Sequence, residues 1–405
     1  MAAPVEKVEL GFDQSFSANP NFFTLDDAVK GELDNTSYPL AGLQFVDVTS
    51  RVRSYSISRG RNNIFNSFPA GQARVEFNNH DRAFDPLYAS SPYAGNIIPR
   101  REIRISSGGQ VVFSGWIDDW NLSYTPDGDS VVDAVSYDAM SILSKQTLPL
   151  GTPTSELTGA RVDDILDQIE WSSELRDLDT GAATLGTQII SENTNAINYL
   201  QNVANSEPGL LFVGKTGKVT FRDRRAVATS DNLLDFGGTA IPFQNLDVIY
   251  GSEKLFNEVV LSRTDGGTAT AIDSASITDY GLRNLTQNEL LLNDDLDLAE
   301  LALVLAQRFS QPQYRFGSLE VALHKLSASQ QADVLAAEIG SVARVTFTPN
   351  GIGDPIIRFV EVIRMEHTVA PTTHFVNFGF QAVDFAPLVL DDAEFGKLDT
   401  YSLSW

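Results

Sequence analysis

Val111-Val112-Phe113-Ser114-Gly115-Trp116-Ile117-Asp118-Asp119-Trp120-Asn121-Leu122-Ser123-Tyr124-Thr125-Pro126-Asp127-Gly128-Asp129-Ser130-Val131-Val132-Asp133-Ala134-Val135-Ser136-Tyr137-Asp138 is the stretch whose reading decides the fold. Val111 to Tyr124 reads as one strand and Ser130 to Tyr137 as its return. Thr125-Pro126-Asp127-Gly128 between them is turn chemistry, because proline presets one turn angle and glycine accepts a positive φ. Trp116, Trp120, Leu122 and Tyr124 give the hairpin a heavy aromatic and apolar face. Such a face needs a core to cover it, which predicts a barrel or a sandwich. The plan recurs from Ile357 to Asp384, two long strands across Val369-Ala370-Pro371-Thr372-Thr373. The first hairpin closes on Val-Ser-Tyr-Asp and the second on Gln-Ala-Val-Asp. Two copies of one barrel would produce this echo, and so would chance likeness between unrelated β-domains.

Working outward, Gln72 to Asn78 alternates, with Ala73, Val75 and Phe77 on one face, and Arg101 to Ile105 is a further strand. The pattern changes after Leu148-Pro149-Leu150-Gly151-Thr152-Pro153-Thr154. Val162, Ile165, Leu166 and Ile169 then fall at helical spacing. A second helix is expected from Asn195 to Asn205, stopped by Glu207-Pro208-Gly209, followed by a hairpin over 210–221. Leu298, Leu301, Leu305 and Phe309 stripe a helix over 295–310 that Pro312 ends, and strands are expected at 314–323, 342–348, 356–367 and 374–384. The fold class expected is mainly β with an α+β insert: a first β-barrel over 1–147, a small α+β domain over 148–235, a second β-barrel with a packed helix over 236–390, and an extended acidic tail over 391–405.

Composition narrows the function. There is no cysteine, which excludes disulfides, thiolate nucleophiles and cysteine-based zinc sites. No run of about 18 apolar residues offers a membrane helix, and Met1 to Lys7 lacks the features of a signal peptide, so synthesis in a cytoplasm is expected. A net charge of −24 opposes general binding to DNA phosphates. The charge is uneven: residues 41–110 hold nine arginines and five acids, whereas residues 111–180 hold fourteen acids and three bases. Solvated faces of opposite sign explain this, as do complementary patches for ordered assembly.

Catalytic patterns are missing. His-Glu-x-x-His, the phosphate-binding Gly-x-x-x-x-Gly-Lys-Ser/Thr and Gly-x-Ser-x-Gly do not occur. His80 lies in a turn and His324 ends a strand, while His367 and His374 flank the last turn, where they could face each other as a weak metal candidate. Asn293-Asp294-Asp295-Leu296-Asp297 lacks calcium-loop spacing and reads as a helix N-terminus. No catalytic residue, metal ligand or cofactor is expected.

An ordered series of short motifs points elsewhere. Asp47-Val48-Thr49 is followed by Arg59-Gly60-Arg61-Asn62, Phe68-Pro69-Ala70-Gly71, Asn78-Asn79-His80-Asp81-Arg82-Ala83-Phe84-Asp85-Pro86 and Pro99-Arg100-Arg101. Later come Phe256-Asn257-Glu258-Val259, Asp273-Ser274-Ala275-Ser276-Ile277 and Tyr280-Gly281. This series resembles the hub or minor tail proteins of phages with long non-contractile tails. The resemblance implies two tube-like barrels around an inserted domain, and a homotrimer in which six barrels ring a channel. It implies a structural virion protein of the tail tip, assembled in the host cytoplasm. The partners implied are a distal tail or tube ring, fibre, spike or other tip proteins, the tape measure protein, and DNA in transit without specific binding. No fibre, lysozyme or peptidase domain follows the second barrel, which argues against direct receptor recognition.

The alternatives are a hexameric distal tail ring and a carbohydrate- or receptor-binding β-module using Trp116 and Trp120. Gly60 permits a positive φ between two arginines able to reach carboxylates. Arg59, Arg61, Arg100 and Arg101 stand beside turn residues and are expected at subunit interfaces, or as staples within one barrel. The channel wall is expected to be acidic, since each basic group on it would retard DNA.

Overall fold

Alternation dictates the strands that build the sheet. Gln72–Asn78 buries Ala73, Val75 and Phe77 completely and turns Gln72, Arg74 and Asn78 outward. The structure is a computed structural model, and it describes residues 3–12, 31, 45–63, 65–224 and 234–383. The tail expected over 391–405 lies outside the described residues.

The first β region contains β1 (Glu6–Gly11), β2 (Val52–Gly60), β3 (Gln72–Asn78), β4 (Glu102–Ser107), β5 (Gln110–Tyr124) and β6 (Ser130–Tyr137). Then come α1 (Thr158–Gln168), α2 (Ala196–Asn205) and the hairpin of β7 (Leu210–Val213) and β8 (Val219–Arg222). The remainder holds β9 (Asn245–Tyr250), β10 (Glu258–Arg263), β11 (Thr268–Ile272), β12 (Asn284–Leu290), α3 (Asp295–Phe309), β13 (Tyr314–Ala322), α4 (Ala328–Ala336), β14 (Val342–Phe347), β15 (Ile356–Ala370) and β16 (Thr373–Ala382). With 42% strand and 20% helix the class is mainly β, as expected.

Instead of two separate closed barrels, the two β regions join in one 13-stranded array. Its order is β9-β13-β16-β15-β2-β3-β6-β5-β4-β1, extended by Phe45–Asp47, with β14 on β15 and Leu234–Phe236 on β14. A common core fills it, in which Val8, Leu10, Ile57, Phe77 and Phe113 pack with Phe316, Val321, Val362 and Phe378. A second core lies beneath α1, α2 and the β7–β8 hairpin, centred on Val162, Ile165, Leu200, Leu211 and Phe221. A third lies between α3 and the β10–β11–β12 sheet, with Val259, Leu261, Leu298, Leu305 and Phe309. Asp294 caps α3 by accepting from the amides of Leu296 and Asp297.

The echo between the hairpins extends to whole strand order. One series runs β4-β5-β6-β3-β2 and the other β14-β15-β16-β13-β9, with every neighbouring pair antiparallel. Chain order is preserved as well. Each series carries a bulge in the first strand of its long hairpin, between Ile117 and Asp119 and between Val362 and Arg364. The row Asp119-Val135-Arg74-Ser56 in the first series therefore corresponds to Arg364-Gly379-Ser318-Asp247 in the second.

The series meet where β2 pairs with the outer half of β15, from Gly60 against Arg364 to Tyr55 against Val369. Gly60 has φ +108°, and a Cβ there would lie 2.2 Å from the carbonyl oxygen of Ile363, the bulged residue. Only glycine fits both constraints. Gly60→Val is expected to destabilise the chain by about 2–5 kcal/mol, combining roughly 1–2 for backbone strain with roughly 1–3 for the clash. Urea denaturation measures it.

Candidate functional site: the seam between the two β regions

Two buried polar groups hold the β2–β15 seam. The first surrounds Arg59, which is 4% exposed. Its Nη2 donates to Glu338 Oε1 at 2.6 Å and to the carbonyl of Val213 at 2.9 Å. Glu338 Oε2 accepts from the Lys215 amide at 2.8 Å, and Lys215 Nζ donates to the carbonyls of Leu335, Ala336 and Ala337 at the end of α4. Lysine there satisfies carbonyls that the helix end leaves open. Burial lowers the Lys215 ammonium below its usual range, and Glu338 works against that. Arg59 thus ties β2 to the β7–β8 hairpin and to the segment after α4.

Asp138, which ends the first hairpin, feels the charge of Arg59 and is bonded to two backbone amides. Its Oδ2 accepts from the Gly71 amide at 2.7 Å and its Oδ1 from the Met140 amide at 3.0 Å. Burial pushes its carboxyl up to about 7, against the pull of those two amides and of Arg59.

The second group lies near the other end of the seam. His367 on β15 and His374 on β16 face each other as the sequence suggested, with Nδ1 of His367 3.0 Å from Nε2 of His374. His374 Nδ1 lies 2.9 Å from Glu6 Oε1, which also accepts from Ser107 Oγ at 3.0 Å. Tyr55 donates its hydroxyl to Glu6 Oε2. His324 Nδ1 accepts the His374 amide at 3.2 Å. A neutral His pair satisfies these contacts: His374 donates to Glu6 and accepts from His367. The chain of bonds links β1, β2 and β4 to β15 and β16. Among the described residues no three His, Asp or Glu side chains are placed to hold a metal ion.

The other arginines expected at interfaces divide. Arg61 is 7% exposed, donates to the carbonyl of Asn66 at 3.0 Å and lies 4.4 Å from the Phe68 ring centre. Arg59 and Arg61 are buried and bonded within this chain, as the staple alternative describes, because their turn lies against β15. Arg100 is exposed, at φ +68°, with a guanidinium nitrogen 3.7 Å from Asp118. Arg101 donates to the side chain of Asn96 at 3.1 Å. The loop after β3 is tied internally, Arg51 to Asp81, Arg82 and Tyr124 to Asp85, and the Phe84 amide to Asn79. Trp120 stacks on Phe84 and donates to the carbonyl of Ile98, and Trp116 packs against the second core, so both serve packing.

Sequence reading missed Glu338, Lys215 and α4. The helix start was visible, since Ser327-Ala328-Ser329-Gln330 is a capping box whose reciprocal bonds both form. Nothing local announced that Arg59 would meet Val213, 154 residues away, and Glu338, 279 residues away, or that Lys215 would share Glu338.

No family model matches the chain, and no curated protein matches it. Solved structures do. The 43 kDa tail protein of prophage MuSo2 from Shewanella oneidensis is 14% identical, with a TM-score of 0.54 over 84% of this chain and 96% of that one. The tail protein from Neisseria meningitidis MC58 is also 14% identical, with a TM-score of 0.56 over 84% and 94%. The chain has the fold of these prophage tail proteins. No helix among the described residues is long and apolar enough to cross a membrane.

Two measurements probe the seam. Arg59→Ala strands Glu338, which is 27% exposed, and is expected to cost the chain about 3 kcal/mol in urea denaturation, the low end for one side of a buried pair. His367 has its pKa lowered well below 6.5 by burial and by His374, Arg59 and Lys215. A folded value below the unfolded one means the unfolded chain binds more protons, so this stability is complete above about pH 6.5 and falls as pH drops below it. Asp138 acts oppositely, losing its contribution as pH rises from about 4 towards 7. The melting advantage of the unsubstituted chain over His367→Gln should therefore narrow below pH 6.5; a pH-independent difference would contradict the assignment.

Proposed function

We propose that this protein is a non-enzymatic tail-tip component of a phage particle, a homotrimeric hub that closes the tail tube and surrounds part of the DNA channel. The domain division at 148 and 236 belongs to the same reading. The observation that carries it is the duplicated strand order with its internal joint. One chain offers two equivalent five-strand series, so three chains offer six similar surfaces to a sixfold tube while keeping threefold symmetry towards fibre or spike. End-to-end coverage of the prophage tail proteins supports it.

The joint inside the chain suggests the joint between chains. β2 occupies the outer half of β15; by the row correspondence, β9 is the equivalent of β2 and Asp119–Tyr124 of β5 the equivalent of that outer half. Among the described residues no strand covers the far edge of β9 or of Asp119–Tyr124. Exposed Ile249, Tyr250 and Tyr124 sit on those edges. Gly251 corresponds to Gly60, four residues beyond Asp247 and Ser56, and nothing lies within 4 Å of a Cβ built on it. In the ring, β9 of one chain adds to β5 of the next with Asp247 opposite Ser123, and Gly251 receives the bulge at Asp118. Arg100, paired with Asp118, then stands at the subunit contact, with Arg101 beside it; Arg59 and Arg61 support the contact by fixing the seam. Acids of both series line the bore, and neighbouring tube-ring, tip and tape measure proteins complete the partners.

Gly251→Val should leave the monomer's stability within about 0.5 kcal/mol and reduce assembly, the reverse of Gly60→Val. Native mass spectrometry reads both, with three copies expected. Six equivalent chains in one ring would favour the distal tail ring instead.

A further inference from the structure

The two strand series correspond residue by residue in the loops beside the long hairpins. The Gly340 amide donates to the carbonyl of Val362 at 2.8 Å, and the Val362 amide donates to the carbonyl of Ser341 at 2.9 Å. In the first series the Arg100 amide donates to the carbonyl of Ile117 at 2.6 Å, and the Ile117 amide to the carbonyl of Arg101 at 2.8 Å. Val362 and Ile117 are the residues that precede the two bulges. Gly340 has φ +87° and Arg100 has φ +68°, a left-handed conformation that few residues other than glycine adopt. Arg100 is therefore the counterpart of Gly340. Two residues earlier in each loop, Ile98 is the counterpart of Glu338.

Glu338 holds the internal joint through its ion pair with Arg59. On β9 the counterpart of Arg59 is Tyr250, which lies three residues beyond Asp247 as Arg59 lies three beyond Ser56. The charged pair of the internal joint is thus matched, on the two open edges, by an isoleucine and a tyrosine. Both are exposed in the single chain, Ile98 by 46% and Tyr250 by 69%. Their surroundings match as well. With Asp247 opposite Ser123, Tyr250 stands opposite Trp120, Val248 opposite Leu122 and Leu246 opposite Tyr124. Trp120 already donates its indole N–H to the carbonyl of Ile98 at 3.0 Å. Trp120, Leu122, Leu246 and Val248 pack against the common core and are only partly covered by it. Each edge therefore carries an apolar row that its own chain leaves half covered, and the two rows are in register.

We propose that Tyr250 of one copy packs on Ile98 and Trp120 of the next, an apolar lock that stands where the internal joint has its Arg59–Glu338 ion pair. The inference rests on the ring reading above, and it assigns both edges to a second copy of this chain. The difference in chemistry sorts the strands. β2 laid on the β5 of a neighbour would put Arg59 against Ile98, a guanidinium deprived of the carboxylate that holds it. β9 laid on β15 would leave Glu338 facing a phenol ring. A charge covered without its partner is strongly unfavourable, and such penalties on wrong pairs give specificity as much as the gains on right ones. Copies of the chain therefore join edge to edge without exchanging strands.

The test gives one joint the chemistry of the other. Native mass spectrometry over a concentration series yields the dissociation constant of the trimer for the full chain and its variants. Tyr250→Ala should weaken assembly about 10- to 100-fold, as for an aromatic anchor at the centre of a contact. Tyr250→Arg and Ile98→Glu should each weaken it roughly 30-fold or more, because each brings an unpaired charge to the contact. Tyr250→Arg combined with Ile98→Glu rebuilds the internal ion pair between chains, and should assemble at least about 10-fold more tightly than either single variant. At dilutions that dissociate the trimer, every variant should melt with the unsubstituted chain, since both positions are exposed there; a variant that melts lower is set aside, and Tyr250→Ala, which adds no charge, then decides. A trimer indifferent to Tyr250→Ala and to both charged variants, or a double variant no tighter than the single ones, overturns the lock and leaves the ring standing. An unsubstituted chain that stays monomeric overturns the ring and the lock together.

Discussion

The pairing of Tyr55–Gly60 with Arg364–Val369 is the constraint on which the rest depends. It joins segments some 300 residues apart in sequence, so its loop-closure entropy must be offset by contacts made only after both regions fold. The structure supplies them at both ends. Glycine at position 60 lets β2 reach the bulge of β15, Arg59 anchors the adjacent turn to Glu338 and Val213, and the Glu6–His374–His367 chain closes the far end across the core. Without this joint, two β regions would face each other through apolar surface alone, which is compatible with many registers. A row of backbone bonds with a single permitted glycine selects one.

The same joint explains why the duplicated series are not interchangeable. The first series spends β2 on the partner within the chain, and the second leaves β9, its equivalent, at an edge. Open edges are a hazard unless a neighbour takes them. Among the described residues two edges are open, on β9 and on the outer half of β5, and they are complementary in the sense defined by the internal joint: in the proposed ring, β9 does to β5 of another copy what β2 does to β15. A heterologous contact of this kind closes into a ring when its rotation permits. On the proposed hub reading, the acidic balance of the chain suits a channel wall past which DNA moves without adhering.

Much of the fold was legible in the sequence because it is written locally. The alternation of Ala73, Val75 and Phe77, the turn at Thr125–Gly128 and the leucine stripe of α3 each specify an element within a few residues. The echo of the two long hairpins was also legible, and it marks the shared strand order. What was not legible is nonlocal. Arg59 and Arg61 look like surface residues beside a turn, yet the turn is covered by a strand from the far end of the chain, and burial follows from that covering and not from their own neighbours. The merging of two expected barrels into one array has the same cause. His367 and His374 were recognisable as a facing pair, but Glu6, Tyr55 and Ser107, which complete their network, come from three other strands.

Repetition between chains of the joint inside the chain is open to cross-linking, because the chain contains no cysteine. Asp247→Cys and Ser123→Cys, introduced together and oxidised in the assembled state, should give covalent dimers and trimers between neighbouring copies, with the ladder stopping at three. A cross-link confined within single chains, or none in an assembly shown to be intact, would contradict it.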